Sequence, residues 1–105
     1  MAFKDSTDEK FQDQINSSKL SLVQFSASWC QPCQMLKPIV LKISEDFSDK
    51  IDCYYHDIEN QPNKPVEYAV RGVPTLILCK DGKLLATKVG SSNEKDLLDF
   101  IKPHI

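Results

Sequence analysis

From Leu20 through Leu36 the chain reads LSLVQFSASWCQPCQML, and no residue in that stretch carries a charge. Its first part, Leu20 to Ala27, is rich enough in apolar residues to predict a central, buried strand. Just beyond it, Met35, Ile39, Ile43 and Phe47 recur every fourth residue, with Leu36 and Val40 beside them. That spacing predicts a long amphipathic helix. Pro38 falls inside it and is expected to kink it, because proline offers no N–H to the preceding turn. A buried strand handing over to an amphipathic helix sets an α/β pattern for the rest of the chain.

The flanking segments extend that pattern. A short apolar start (Ala2, Phe3) leads to STDEKFQDQI, where Ser6 and Glu9 have capping-box spacing and Phe11 and Ile15 share a helical face. KIDCYYHDI predicts a second strand. NQPNKPVEYAV, broken by Pro62 and Pro65, predicts a loop with at most a short helix. TLILC (Thr75 to Cys79) and LLATKV (Leu84 to Val89) flank Asp81-Gly82, a strong hairpin signal. A final helix is expected from a cap at Ser92 or Asn93, burying Leu97, Phe100 and Ile101. Strands separated by helices, then a hairpin and a last helix, describe a sheet with parallel and antiparallel parts. With 105 residues and neither repeats nor a linker, residues 1–105 are expected to form one domain.

Composition narrows the function classes. A formal charge of −2, with acids and bases mixed along the chain, gives no electrostatic reason to invoke nucleic acid or anionic lipid. No apolar run approaches the roughly 20 residues needed to cross a bilayer. MAFKDSTDEKF contains no apolar signal region, so a soluble protein of a reducing compartment, the cytoplasm, is expected.

Cys30 and Cys33 admit three uses: half of a metal site, a structural staple, or a dithiol that opens and closes. A metal site needs two more ligands, and the candidates are scattered: Cys53 and Cys79 stand singly in predicted strands, His56 lies in one of them and His104 is near the end. No metal is expected. A staple between such near neighbours removes little unfolded-state entropy. The pair falls where a buried strand ends and a helix begins, so the helix dipole and unpaired N–H groups should help the first thiol ionise. Such strand ends are where α/β folds place reactive groups. Pro32 suits the first helical turn. Cys30 is expected to be the exposed attacking sulfur and Cys33, one turn deeper, the resolving one.

FSASWCQPCQMLKP, then RGVPT some forty residues later, then KDGKLLATKVG, resembles the thioredoxin family over nearly the whole chain. The resemblance implies a thioredoxin fold, with a central mixed five-stranded sheet flanked by about four helices. It implies protein-disulfide reduction by an electron carrier, without a bound cofactor, through a reversible Cys30–Cys33 disulfide. The expected partners are disulfide-containing protein substrates and a thioredoxin reductase, an NADPH-dependent flavoprotein; the carrier itself is expected to be a monomer. Residue by residue, it makes Cys30 the nucleophile and Cys33 the resolving thiol, with Trp29 packing beside them. Pro74 becomes a cis-proline facing the disulfide. Val73 offers backbone hydrogen bonds to an extended substrate, and Gly72 and Gly90 flank the groove.

Two departures stand out. Gln31-Pro32 replaces the family's Gly-Pro between the thiols, so the redox poise set by Gln31 and Pro32 cannot be copied across. At Gln24 and Tyr55 the family usually has a buried aspartate and a lysine. An amide cannot accept the proton of the resolving thiol as a carboxylate can. Cys33 is then expected to lose it to water, to the departing substrate thiolate or through Tyr55, with a pH dependence unlike that of an Asp-bearing relative. Cys53 and Cys79 read as small buried hydrophobes or, alternatively, as a regulatory pair. A thiol-independent module that clamps peptides in the Trp29/Pro74/Gly90 groove is the competing functional reading.

Overall fold

The computed structural model describes residues 3–105, so the expectation for Ala2 lies outside the described residues. Along the chain run β1 (Phe3–Asp5), α1 (Phe11–Ile15), β2 (Leu20–Ser26), α2 (Gln31–Asp46), β3 (Ile51–Asp57) and α3 (Asn63–Glu67). Then come β4 (Thr75–Lys80), β5 (Lys83–Val89), α4 (Glu94–Ile101) and a 3₁₀ turn at Lys102–His104. The strands form one mixed sheet in the order β1-β3-β2-β4-β5. β1, β3 and β2 are mutually parallel, while β4 runs antiparallel to both β2 and β5. β2 is central and every one of its residues is buried, as a strand without a charged residue allows, with Ser21, Gln24 and Ser26 carried in among the apolar side chains.

Handedness places the helices. The chain crosses from β1 to β2 in one direction and from β2 back to β3 in the other. Right-handed crossovers then force α1 and α2 onto opposite faces. Leu36, Val40 and Ile43 of α2 accordingly join Leu97 and Ile101 of α4 over Leu20, Leu22, Leu76 and Leu78. On the other face Phe11 and Ile15 of α1 pack with Val23, Phe25, Ile77 and Cys79, with Tyr68 and Val70 at the margin.

The buried side of α2 differs from the expected stripe. Met35 is 66% exposed, and Leu36, Val40 and Ile43 carry the core. A strict four-residue repeat walks about 40° around a helix of 3.6 residues per turn at each step, so Met35 rotates off the face that Ile43 buries. The helix runs through Pro38, which is exposed. The hairpin forms as expected, with Asp81 and Gly82 both at positive φ (54° and 79°), the signature of a primed two-residue turn. A Cβ at position 82 would also press on Asn16 Oδ1 and Gln12 Nε2, each at 3.3 Å. Asn93 caps α4 by accepting from the Asp96 N–H at 2.8 Å, and Leu97 and Ile101 are buried, with Phe100 half-buried.

The capping box at Ser6 and Glu9 does not form. α1 begins only at Phe11, and its cap residue Lys10 makes no side-chain cap bond. The Ser6 hydroxyl is committed elsewhere, at 2.7 Å from His56 Nδ1 on β3. His56 is buried, and its Nε2 lies 3.0 Å from the Gln61 carbonyl and 3.2 Å from Asp8 Oδ1. A carbonyl only accepts, so Nε2 carries the proton and Nδ1 accepts from Ser6. Burial pushes His56 below its ordinary value, more than the Gln61 carbonyl and Asp8 offset. Burial opposes the charge on Asp8 too, but N–H groups of Asn63 and Lys64 and the neighbouring His56 outweigh it and hold that carboxyl low.

Both shifts mean that the unfolded chain binds more protons, so stability rises with pH. The His56 contribution is fully present above its unfolded value of 6.5 and is lost as pH falls through the lower folded value. The Asp8 contribution is lost in turn below 3.8. We expect the urea midpoint to fall between about pH 7.5 and pH 5, and a His56→Phe variant to lose most of that slope. A flat midpoint over that range would remove His56 from the acid response.

The register also answers the question left by the two single cysteines. Cys53 lies beside Leu22 of β2 and Cys79 beside Ser21, and adjacent residues of a strand point to opposite faces. The two thiols therefore sit in separate cores and cannot bond to one another. Burial pushes the Cys53 thiol up to about 12 and Cys79 up to about 11, which leaves both as inert apolar side chains.

Candidate active site

β2 ends at Ser26, and four residues later α2 opens with Cys30 as its cap. The Cys30 Sγ accepts the Cys33 N–H at 3.2 Å, the bond that a serine or aspartate oxygen makes at most helix starts. Pro32 sits in the first turn, where its missing N–H costs nothing. Cys30 and Cys33 are joined by a disulfide across a Cα–Cα distance of 5.2 Å. A helix N–H aimed at the first sulfur, with the dipole behind it, favours negative charge there once the bridge opens.

The sulfurs are more enclosed than the sequence implied. Cys30, expected to be exposed, is only 4% exposed, and Cys33 is 0%. The order of access is the expected one but its degree is not. The disulfide turns the Cys30 sulfur inward toward Cys33, and Ala27, Ile58 and Val73 form an apolar collar around the pair. Ile58 had no signal as a motif residue. Its position at the C-terminal end of β3, beside the end of β2, could have marked it: its N–H bonds to the Ser26 carbonyl at 2.9 Å.

Of the other expected residues, Val73 belongs to this collar. Val73-Pro74 is a cis peptide, and Val73 packs against the cysteines. The Gly90 N–H donates to the Pro74 carbonyl at 2.9 Å, tying the end of β5 to the cis loop. A Cβ at Gly72 or Gly90 would meet nothing within 4 Å among the described residues. Trp29 is 69% exposed, so it is a surface side chain and not part of the core. Gln31 and Pro32 are exposed. With Met35, Ile39 and Ser91 to Asn93 they line a groove of about 520 Å³ along α2. Sequence periodicity places Met35 in the core, so the groove it lines has no signature in the sequence.

A family model for thioredoxin matches residues 2–103. The chain belongs to the thioredoxin family. It is 44% identical to the thioredoxin of Acidithiobacillus ferridurans over 90% of this chain and 89% of that one. It is 40% identical to that of Buchnera aphidicola subsp. Acyrthosiphon pisum, over 94% and 93% of the two chains. The thioredoxin of Rickettsia typhi is 41% identical over 94% and 95%. The five-stranded mixed sheet with four helices is the thioredoxin fold. Family and disulfide together support a thiol–disulfide oxidoreductase working through a redox-active dithiol.

Against that thioredoxin frame the neutral pair beneath the cysteines takes on definite geometry. Gln24 and Tyr55 are register partners on β2 and β3. Gln24 is 0% exposed; its Nε2 donates to the Cys33 carbonyl at 3.1 Å and reaches Ser26 Oγ at 3.5 Å. Its Oε1 is buried with no hydrogen-bond partner among the described residues. A buried acceptor left so costs on the order of 1–3 kcal/mol. Tyr55 Oη accepts from Gln34 Nε2 at 3.3 Å, the same amide that donates to the Ala27 carbonyl at 3.0 Å. Lys37 Nζ lies 4.3 Å from the centre of the Tyr55 ring. The scattered candidates for a zinc set are otherwise engaged: Cys53 and Cys79 face away from each other, and both His56 nitrogens are hydrogen-bonded.

Proposed function

We propose that the chain reduces protein disulfides as an electron carrier. Cys30 attacks a target disulfide, forming a mixed disulfide and releasing one target thiolate. Cys33 then attacks Cys30, and the second target sulfur leaves. The target gains two electrons and two protons, and the Cys30–Cys33 bridge closes. An NADPH-dependent flavoprotein of the thioredoxin reductase kind reopens it. Trp29, Gly72, Val73, Pro74 and Gly90 form the substrate groove in this reading, with an extended segment paired to the Val73 backbone. Gln31 and Pro32 tune the potential from the turn between the sulfurs. We place the carrier in the cytoplasm, as a monomer.

The observation that carries the reading is the Cys30 sulfur serving as the α2 cap while bonded to Cys33. The test is a coupled assay in which NADPH, a flavoprotein thioredoxin reductase and insulin are mixed with and without the protein. NADPH consumption that needs all the components supports the proposal. Failure of the oxidised and reduced protein to equilibrate with glutathione would overturn it.

A further inference from the structure

We propose that Gln24 Oε1 accepts a hydrogen bond from the Cys33 thiol in the reduced protein, and that this contact positions the resolving sulfur and makes the pair easier to reduce. The inference deepens the dithiol-exchange reading above and rests on it.

Two unmet needs arise under the start of α2. Gln24 is wholly buried, and its amide orientation is set by the Cys33 carbonyl, which can only accept, so Nε2 faces it. Oε1 is thereby left without a donor among the described residues while the disulfide is closed. Opening the bridge creates two sulfur sites with different surroundings. The Cys30 sulfur already receives the Cys33 N–H, which favours a thiolate there. Cys33 is 0% exposed within an apolar collar, where a neutral thiol is favoured and its S–H requires an acceptor. The side chain bonded to the backbone of that same residue carries the orphaned oxygen.

The consequence for exchange follows from the amide's chemistry. Gln24 can hold the Cys33 proton by a hydrogen bond but cannot take it. In the mixed disulfide, Cys33–SH remains a thiol aimed by Gln24. As its sulfur bonds to Cys30, the Cys30–substrate S–S bond breaks and the substrate sulfur leaves with the bonding pair. The Cys33 proton goes to that sulfur, directly or through solvent. One disulfide and one thiol enter, and one disulfide and one thiol leave. Gln24 favours the reduced state twice over, by bonding the new thiol and by carrying an unpaired acceptor in the oxidised state. Its bond to the Cys33 carbonyl is present in both states and cancels.

The experiment compares wild type with Gln24→Leu in a glutathione redox titration. We expect the variant to shift toward the disulfide by about tenfold in equilibrium constant, equivalent to a potential about 30 mV more negative. In parallel, reduced-minus-oxidised infrared spectra of the wild type cancel the constant Cys53 and Cys79 thiols and isolate the new S–H band. That band should be displaced to the frequency of a hydrogen-bonded thiol in the wild type and return to the free-thiol position in the variant. An unchanged equilibrium constant, or a free-thiol band in the wild type, overturns the inference. The wild-type band decides the matter even if the variant does not fold. Failure of the wild type itself to equilibrate with glutathione would instead bring down the exchange reading, and this inference with it.

Discussion

On the proposed exchange mechanism, Cys30→Ser is expected to cut disulfide reduction to the uncatalysed rate, a loss on the order of 10³-fold or more, because deleting the attacking sulfur removes the covalent step outright. The variant should fold. Serine is a favoured cap residue, and its Oγ can accept the Cys33 N–H that the sulfur now accepts at 3.2 Å. The loss of the short Cys30–Cys33 bridge releases little unfolded-state entropy, since the two residues are only three apart in sequence. A large fall in activity with a small change in urea midpoint therefore separates chemistry from folding. Cys33→Ser should behave differently, forming the mixed disulfide through Cys30 and then stalling, so that covalent target adducts accumulate on a gel. Should Cys30→Ser keep full function in the cell, electron transfer is not the role, and the thiol-independent groove of Trp29, Pro74 and Gly90 takes its place.

The largest effect on stability is expected from Phe25→Ala, at about 3–5 kcal/mol. Phe25 is fully buried on β2, on the face away from α2, 6.1 Å from the Phe11 ring and 5.0 Å from the His56 ring between centroids. Phe11 in turn touches Tyr68 at 5.1 Å, so one aromatic stack joins α1, β2, β3 and the segment after α3. Truncation leaves a cavity that four elements would have to close together. Against a total stability of about 5–15 kcal/mol for a domain of ordinary size, that loss is a large share. A urea titration should show a much lower midpoint with an unchanged slope. A change under about 1 kcal/mol would mean that the stack collapses around the missing ring.

Much of the fold is legible in the sequence because local periodicity and tertiary burial agree in it. The uncharged run through β2, the Asp81-Gly82 turn and the Asn93 cap each specify their conformation by contacts within a few residues. The redox pair was legible for a similar reason: its spacing and its place between strand and helix both belong to one continuous segment. Where the reading erred, a distant residue had claimed the group. Ser6 suited a capping box until His56, fifty positions away, took its hydroxyl. Met35 fitted a four-residue stripe whose slow rotation only the packed sheet made visible.

The chain's order of residues by itself determined the strand, the cap, the two sulfurs and the absence of charge beside them, since each follows from neighbours along the backbone. Tertiary structure alone decided how far Cys30 is covered, that Ile58 and Val73 close around it, that Cys53 and Cys79 face away from each other, and that one end of the Gln24 amide has no partner among the described residues. Those are matters of which groups meet after the chain crosses and recrosses the sheet. Hydrogen-bond satisfaction and solvent exclusion are properties of that meeting, and no local pattern encodes them.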